Sequence, residues 1–179
     1  MDNQETHVGS PTVRETGIRY GLILGVISIA YFVILSVAGA DMSGGIARWS
    51  GLVFTIIVFF LAHKYFKDNG DGFMSYGQGV GIGFWTSIVS SVISSAFTFI
   101  YIKFIDDTFM EMIRNNEIEK MQEKGMSDAQ IEQAMGFAEA FMSPTAIVVF
   151  GVIGGIIIGV ICALIVTIFT QKANPNSLT

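Results

Sequence analysis

The stretch that decides the fold runs from residue 77 to residue 102 and reads GQGVGIGFWTSIVSSVISSAFTFIYI. It contains no charged side chain, and it is longer than the roughly 20 apolar residues that cross a bilayer. It also lacks the strict alternation of a membrane β-strand. In lipid, every backbone polar group must find a partner within the chain, and a helix meets this requirement. The stretch therefore predicts a transmembrane helix.

Three further stretches have a similar length and apolar character, at residues 18–40, 49–66 and 145–170. The chain of 179 residues is 51% hydrophobic and 14% charged, whereas about a quarter of an average soluble domain is charged. We predict an all-α membrane protein with four transmembrane helices in one domain, residues 18–172. Residues 1–17 and 173–179 are predicted to be polar tails, the first of them flexible.

Small residues recur at every fourth position in three of the four predicted spans. This spacing places them on one face of a helix and lets helix backbones approach closely in lipid. Close packing within the chain or between copies is therefore expected. The predicted helix-packing residues are Gly17, Gly21, Gly25, Gly79, Gly83, Gly151, Gly155 and Gly159.

Span three also carries a stripe of hydroxyl side chains, which leaves two interpretations open. The hydroxyls could line a polar pore or a substrate path, with Ser87, Ser91 and Ser95 as the candidate polar lining. Alternatively, they could bond to neighbouring helices and to their own backbone, which is the interpretation we favour. The two interpretations differ in whether the stripe faces a continuous polar cavity or a tightly packed helix.

The segment before span three, DNGDGFMSYGQGVGIGF at residues 68–84, has the composition but not the spacing of a ligand loop. An EF-hand needs a glutamate at position 12 of its loop, where this chain has Gln78. A dinucleotide loop needs G-x-G-x-x-G after a strand, and neither is present. A turn that places Tyr76 at the membrane interface fits best. Cation binding by Asp68, Asn69 and Asp71 in another geometry stays open.

Residues 106–144 form the longest predicted extramembrane segment, and they contain nine acidic and three basic side chains. Ser127 and Gln130 make a capping box that begins a helix, and Gly125 is suited to end an earlier one, at about residues 108–123. Apolar residues at 131, 134, 135, 138, 141 and 142 make one stripe. We predict an amphipathic helical hairpin between spans three and four, lying on the membrane surface or on the end of the bundle.

The sequence offers little for catalysis, so we predict no enzymatic activity, no cofactor and no metal site. His63 lies beside Lys64 and Tyr65 and is predicted to be an interfacial anchor. Cys162, the single cysteine, is predicted to be a small residue facing lipid or a helix. The span interiors carry none of the ionisable side chains that ion-coupled transporters usually need.

The orientation follows from the basic residues near the spans. If the amino terminus is cytoplasmic, five basic residues lie on each side, but two of the outer ones lie deep in the long loop. Both termini are therefore predicted to be cytoplasmic.

The chain resembles a family of uncharacterised bacterial membrane proteins, domain of unknown function 4199. The resemblance covers about residues 14–172 and is carried by YGLILGVISIAYF (20–32), DNGDGFMSYGQGVGIGF (68–84), IKFIDDTFMEMI (102–113) and EKGMSDAQIEQAM (123–135). The family occurs mainly in Gram-negative bacteria, which implies an inner-membrane location. It implies no activity, and the family-like loop residues of unknown role are Asp68, Asp71, Tyr76 and Gln78.

Our functional hypothesis from the sequence is a non-enzymatic interaction or structural component of the inner membrane. Its expected partners are the lipid bilayer and a second copy of the chain or another membrane protein, and no nucleic acid. The alternative is a passive transporter or channel subunit with a serine-lined third span.

Overall fold

The computed structural model describes residues 10–40, 45–106 and 108–175, without the side chains of residues 46–48 and 140. Much of the predicted tails and the turn between the first two spans lies outside this part. Within it the chain forms six α-helices, and a π-helical turn, Tyr101–Ile105, extends α3. The helices are α1 (Val13–Val37), α2 (Gly45–Asp68), α3 (Tyr76–Ile100), α4 (Phe109–Glu123), α5 (Asp128–Ala138) and α6 (Pro144–Thr170).

Helices α1, α2, α3 and α6 are long and apolar enough to cross a membrane, which indicates a multi-pass membrane protein. The clearest departure from the expected boundaries is at α1. Residues 13–17 are helical rather than part of a tail, because Thr12 and Glu15 form a capping box. The Glu15 carboxylate accepts from the Thr12 backbone at 2.9 Å, a pairing that fixes the first turn of a helix.

The four long helices form a ring in the order α1, α3, α6, α2. Helix α3 packs most extensively, against α1 on one side and α6 on the other. Residues of α1 meet α3 in ascending order, so these two helices are parallel, whereas α6 meets α3 in descending order and is antiparallel. The third span therefore lies at the centre of the packing.

One end of the bundle carries the start of α3 and the end of α6. The backbones of Met74 and Lys172 exchange two hydrogen bonds there, at 2.9 and 2.8 Å, and the Lys67 ammonium donates to the Thr170 carbonyl at 2.8 Å. The opposite end carries α4, whose Phe109 ring contacts Phe32 of α1. The α4–α5 segment and the Met74–Lys172 bridge are therefore at opposite ends.

Two buried clusters form the hydrophobic core, both towards the end that carries the Met74–Lys172 bridge. The first consists of Leu24, Val58, Phe59, Ala163 and Val166. The second lies closer to that end and consists of Ala62, Phe66, Met74 and Ile82.

Helices α4 and α5 meet at Gly125, which has a φ of +76°. The Met126 amide bonds to the Met121 carbonyl at 3.2 Å and the Gly125 amide to the Gln122 carbonyl at 2.8 Å. This pair of bonds is the Schellman motif, which closes a helix through a left-handed residue. The predicted Ser127–Gln130 capping box is present at the start of α5.

The expected apolar stripe of the second loop helix is divided in the structure. Among its members, Ile131 and Met135 are buried, whereas Phe141 is exposed, as is Phe137 outside the predicted stripe. Helix α5 ends at Ala138 and a 3-10 turn, Glu139–Phe141, follows it, so the helix is shorter than predicted. The Phe141 ring packs between those of Phe137 and Phe150, which joins α5 to the exposed face of α6.

We expect Gly125→Ala to cost about 1 kcal/mol of local stability, because an L-residue is strained at positive φ. A Cβ atom at Gly125 would meet nothing within 4 Å, and neither would one at Gly136, which lies inside α5. Gly136→Ala should therefore stabilise α5 by up to about 1 kcal/mol. Amide hydrogen exchange at the end of α4 measures the difference, and equal protection in the two variants would contradict it.

Candidate functional site

Helix α1 packs on α3 through its glycines. A Cβ atom at Gly21 would lie 2.6 Å from the Cβ of Val89, and one at Gly25 would lie 3.0 Å from the Cγ2 of Ile93. One turn earlier, a Cβ at Gly17 would overlap the Cβ of Trp85. The Thr86 hydroxyl donates to the Gly17 carbonyl at 3.2 Å. The glycines of α1 thus receive larger side chains of α3.

Helix α6 packs on α3 through five pairs of mostly small residues, one pair per helical turn. We call this row the small-residue zipper. A Cβ atom at Gly155, Gly159 or Gly83 would overlap its partner across the interface. The pairs are Gly151 with Ser95, Gly155 with Ser91, Gly159 with Ser87, Ala163 with Gly83, and Thr167 with Gly79. All eight glycines singled out in the sequence therefore lie at helix contacts within the chain.

Several hydroxyls of the serine stripe bond to their own helix. Ser87 donates to the Gly83 carbonyl at 2.7 Å, and Ser94 donates to the Ser90 carbonyl at 2.7 Å. In contrast, no hydrogen bond joins the hydroxyl of Ser91 or Ser95 to another residue in the described part of the chain. The local bonding that we favoured from the sequence thus accounts for part of the stripe only.

A cavity of about 250 Å³ lies between the four long helices beside this stripe. Ser87, Ser91 and Ser95 line it while they also contact the glycines of α6. The structure thus combines the two geometries that the sequence presented as alternatives. The complete lining is Leu24, Ser28, Thr55, Ser87, Ser90, Ser91, Ser94, Ser95, Gly151, Gly155, Ile158 and Gly159. We call this space the serine cavity.

The serine cavity ends at the first hydrophobic cluster. Phe59 and Ala163 have no exposed surface, and each lies one helical turn beyond the last cavity-lining residues of its helix. Leu24 belongs to both the lining and the cluster. The cavity therefore does not continue past this cluster towards the Met74–Lys172 bridge.

Between that cluster and the Met74–Lys172 bridge, His63 of α2 contacts both α3 and α6. Its side chain has no exposed surface. The Nε2 atom lies 3.0 Å from the Gly79 carbonyl oxygen, and Nδ1 lies 2.7 Å from the Thr170 hydroxyl. Nε2 carries a proton, because a carbonyl can only accept. The interfacial role predicted for His63 is wrong, since the ring lies inside the bundle.

Sequence reasoning missed His63 although the pattern around it was informative. Phe59, Ala62, His63 and Phe66 follow the spacing of one helix face, and all four are buried. The neighbouring Lys64 and the basic end of α2 suggested an interface, whereas the apolar residues at i−4, i−1 and i+3 indicate burial.

The loop at 68–78 uses its polar side chains to build the turn. Asp68 pairs with Lys64 at 2.6 Å, and the Asp71 carboxylate accepts from the Phe73 amide at 3.0 Å. Gln78 accepts from the Ser75 amide at 2.7 Å in a capping box. The Tyr76 hydroxyl donates to the Leu164 carbonyl at 3.2 Å. These four residues thus have structural partners.

We expect Ser75→Ala to destabilise the protein by about 1 kcal/mol, because it removes the cap of the central helix. Asp68→Ala is the matched control, since the ion pair of Asp68 is more than half exposed and such pairs contribute little. Denaturant unfolding in detergent micelles measures both. A Ser75→Ala variant as stable as the Asp68→Ala variant would contradict the expected role of the cap.

The end of the bundle that carries α4 has a crevice between α4, α5 and the residues just before α6. The Arg114–Glu139 ion pair, at 3.2 Å, stands beside it. One side holds about 610 Å³ and contains Met110, Ile118 and Met142, and the other holds about 510 Å³ and contains Ile131 and Met135. The crevice thus has an apolar floor and a charged edge. Within the described ranges, no group of three His, Cys, Asp or Glu residues could hold a metal ion.

The fold and these sites define a class: a multi-pass, all-helical membrane protein with a glycine-packed central helix. A family model described as "Protein of unknown function (DUF4199)" matches residues 19–172. The chain belongs to this family, as the resemblance in its sequence indicated. No curated protein and no solved structure matches it.

Proposed function

We propose that the protein is a non-enzymatic structural or interaction component of the inner membrane. The observation that carries this proposal is the close packing of α3 against α1 on one side and α6 on the other. Glycines of α1 on one side and the small-residue zipper on the other hold the central helix so close that a Cβ atom at most of these glycines would overlap the neighbouring helix. Such close contacts favour a rigid scaffold in lipid.

The scaffold presents the α4–α5 segment, an acidic helical hairpin, at one end. Exposed carboxylates on it include Glu111, Glu119, Glu123 and Glu132, and two of these, Glu111 and Glu132, line the crevice. Methionine-rich apolar surfaces adapt to partner side chains. This combination suits a partner with a basic rim and an apolar ridge, supplied by another membrane protein or by a second copy of the chain.

The exposed aromatic residues of α5 support contact with lipid. Phe137 and Phe141 continue the exposed face of α6 through Phe150, and amphipathic helices that lie on a membrane insert phenylalanine and other apolar side chains into its surface. In this proposal the hairpin lies at the membrane surface. Helical spans are typical of the inner membrane, because outer-membrane proteins are commonly closed barrels.

Both termini lie on the cytoplasmic side in this proposal. The expected result is that a reporter active only in the cytoplasm is active when fused after residue 179, and that a reporter active only outside is silent there. Fusion of the two reporters within the α4–α5 segment should give the opposite pattern. The reverse result at both positions would contradict the proposed orientation.

Crosslinking from α4–α5 in intact cells tests the interaction role. We expect a photoreactive side chain at the position of Glu119 or Glu132 to capture one defined protein, or a second copy. A matched probe at Ile157, an exposed position on α6, should not capture it. Glu132→Lys should reduce the yield, because it reverses one of the charges that the partner faces.

Several outcomes would count against the interaction role. Recovery of no specific product from either α4–α5 position would contradict it, and so would the same products from Ile157. A crosslinking yield unchanged by Glu132→Lys would show that the acidic surface of α4–α5 does not contribute to partner binding.

A passive transporter or channel subunit is the second candidate, and the serine cavity favours it. Passage would require a path past Phe59 and Ala163, which are fully buried. Proteoliposomes should then conduct small neutral solutes faster than empty liposomes, and Phe59→Ala should increase the flux. Flux at the lipid background in both preparations would contradict this candidate.

A further inference from the structure

We propose that the serine cavity is a binding site for a small, uncharged molecule that both donates and accepts hydrogen bonds, such as a short polyol or amide. The inference does not depend on the interaction role of α4–α5. It rests on two observations: a cavity between the four helices, and two buried serine residues in its wall whose hydroxyls have no hydrogen bond within the described part of the chain.

The free hydroxyls are the feature that indicates a ligand. Ser91 and Ser95 are each more than nine-tenths buried, line the cavity, and have no hydrogen bond to another residue in the described ranges. Buried polar groups are nearly always satisfied by protein or by bound molecules. These two donors therefore point to an acceptor within the cavity.

The rest of the wall offers acceptors. Ser87, Ser90 and Ser94 donate their protons to carbonyls of their own helix. A hydroxyl oxygen that donates still has lone pairs with which to accept. A molecule in the cavity can therefore accept from Ser91 and Ser95 and donate to these neighbours.

The wall of the serine cavity has no charged side chain, which favours the binding of neutral molecules. All lining residues are hydroxyl, glycine or aliphatic side chains. An ion away from water needs an opposite charge or a metal to stabilise it, and the lining provides neither. The volume of about 250 Å³ is slightly below the range of about 300–1,000 Å³ of ordinary ligand pockets, so the molecule is small.

The test uses the full chain in lipid nanodiscs prepared without polyols, with glycerol, acetamide and acetate as probes. Saturation-transfer NMR reports which probes bind. We expect signal for glycerol and acetamide and none for acetate, which has nearly the shape of acetamide but carries a charge. Binding of acetate as strong as that of acetamide would overturn the inference that the site selects neutral molecules.

The double variant Ser91→Ala/Ser95→Ala removes the two free donors and preserves the space. We expect about tenfold weaker binding of glycerol, the effect of losing two neutral hydrogen bonds. Thr98→Ala is the matched control, because it removes a hydroxyl from the same helix outside the cavity, and it should bind like the wild type. Equal binding by the double variant would overturn the proposal.

Ser28→Leu gives an independent test, because it fills the cavity from α1 without touching the small-residue zipper. We expect it to abolish the glycerol signal while the thermal unfolding profile shows that the bundle remains folded. Absence of any glycerol or acetamide signal from folded wild-type protein would mean that the cavity holds water only, and would overturn the proposal.

Discussion

Gly83→Ala is expected to destabilise the bundle by about 3 kcal/mol, because it overpacks the small-residue zipper. The added Cβ atom would overlap the Cβ of Ala163 and lie 3.4 Å from its Cα. Neither atom can rotate away, so the two helices themselves must separate. At Gly155 the atom that overlaps is the Ser91 hydroxyl oxygen, which can change rotamer, whereas the Cβ of Ser91 lies 3.1 Å away, so the same substitution should cost less there.

Gly77→Ala is the matched control for this substitution. Gly77 lies on the same helix, and a Cβ atom there would meet nothing within 4 Å. The control should be neutral or more stable by up to about 1 kcal/mol, since alanine favours helices over glycine. Denaturant titration of both variants in the same micelles measures the difference. Gly83→Ala with the stability of Gly77→Ala would mean that α3 and α6 are not in contact at this point.

His63→Ala is expected to cost about 3 kcal/mol, because it leaves a cavity and removes two hydrogen bonds that hold α2 to α3 and α6. Lys64→Ala is its neighbouring control. The Lys64 side chain is 70% exposed in its pair with Asp68, and its loss should cost less than about 0.5 kcal/mol. Comparable losses from the two substitutions would show that His63 is at the surface.

The bond between His63 and Thr170 can be isolated with a double-mutant cycle. Thr170→Val removes the hydroxyl while nearly preserving the volume. If the ring and the hydroxyl bond to one another, the combined variant should lose about 1 kcal/mol less than the sum of the two single losses. Additive losses would show that the two groups do not interact.

The sequence predicted the four long helices because uninterrupted apolar runs of this length have few structural solutions. It predicted that the glycines pack, but not against what. Small residues on α6 face small residues on α3, whereas those on α1 face Trp85, Val89 and Ile93. A series of glycines indicates that the backbone of a helix can closely approach another helix. It does not indicate which helix is the partner or which residues of the two helices meet.

Capping boxes mark the starts of three helices in the described part of the chain, but only one of them was identified from the sequence. The capping box of Ser127 and Gln130 was recognised, whereas the same spacing at Thr12 with Glu15 and at Ser75 with Gln78 was not. The serine cavity could not be predicted from the sequence. A serine on an apolar helix can bond to its own backbone or face open space, and the sequence does not distinguish the two.

The small-residue zipper should restrict insertions and deletions in the part of the gene that encodes α3 and α6. Each residue advances a helix by about 100°, so one codon inserted in the middle of α6 turns every later contact residue away from α3. Four inserted codons advance the helix by about 400° and bring the face back to within about 40° of its original direction. Substitutions on the exposed faces should thus accumulate freely in related sequences, whereas insertions and deletions within α3 and α6 should be nearly absent.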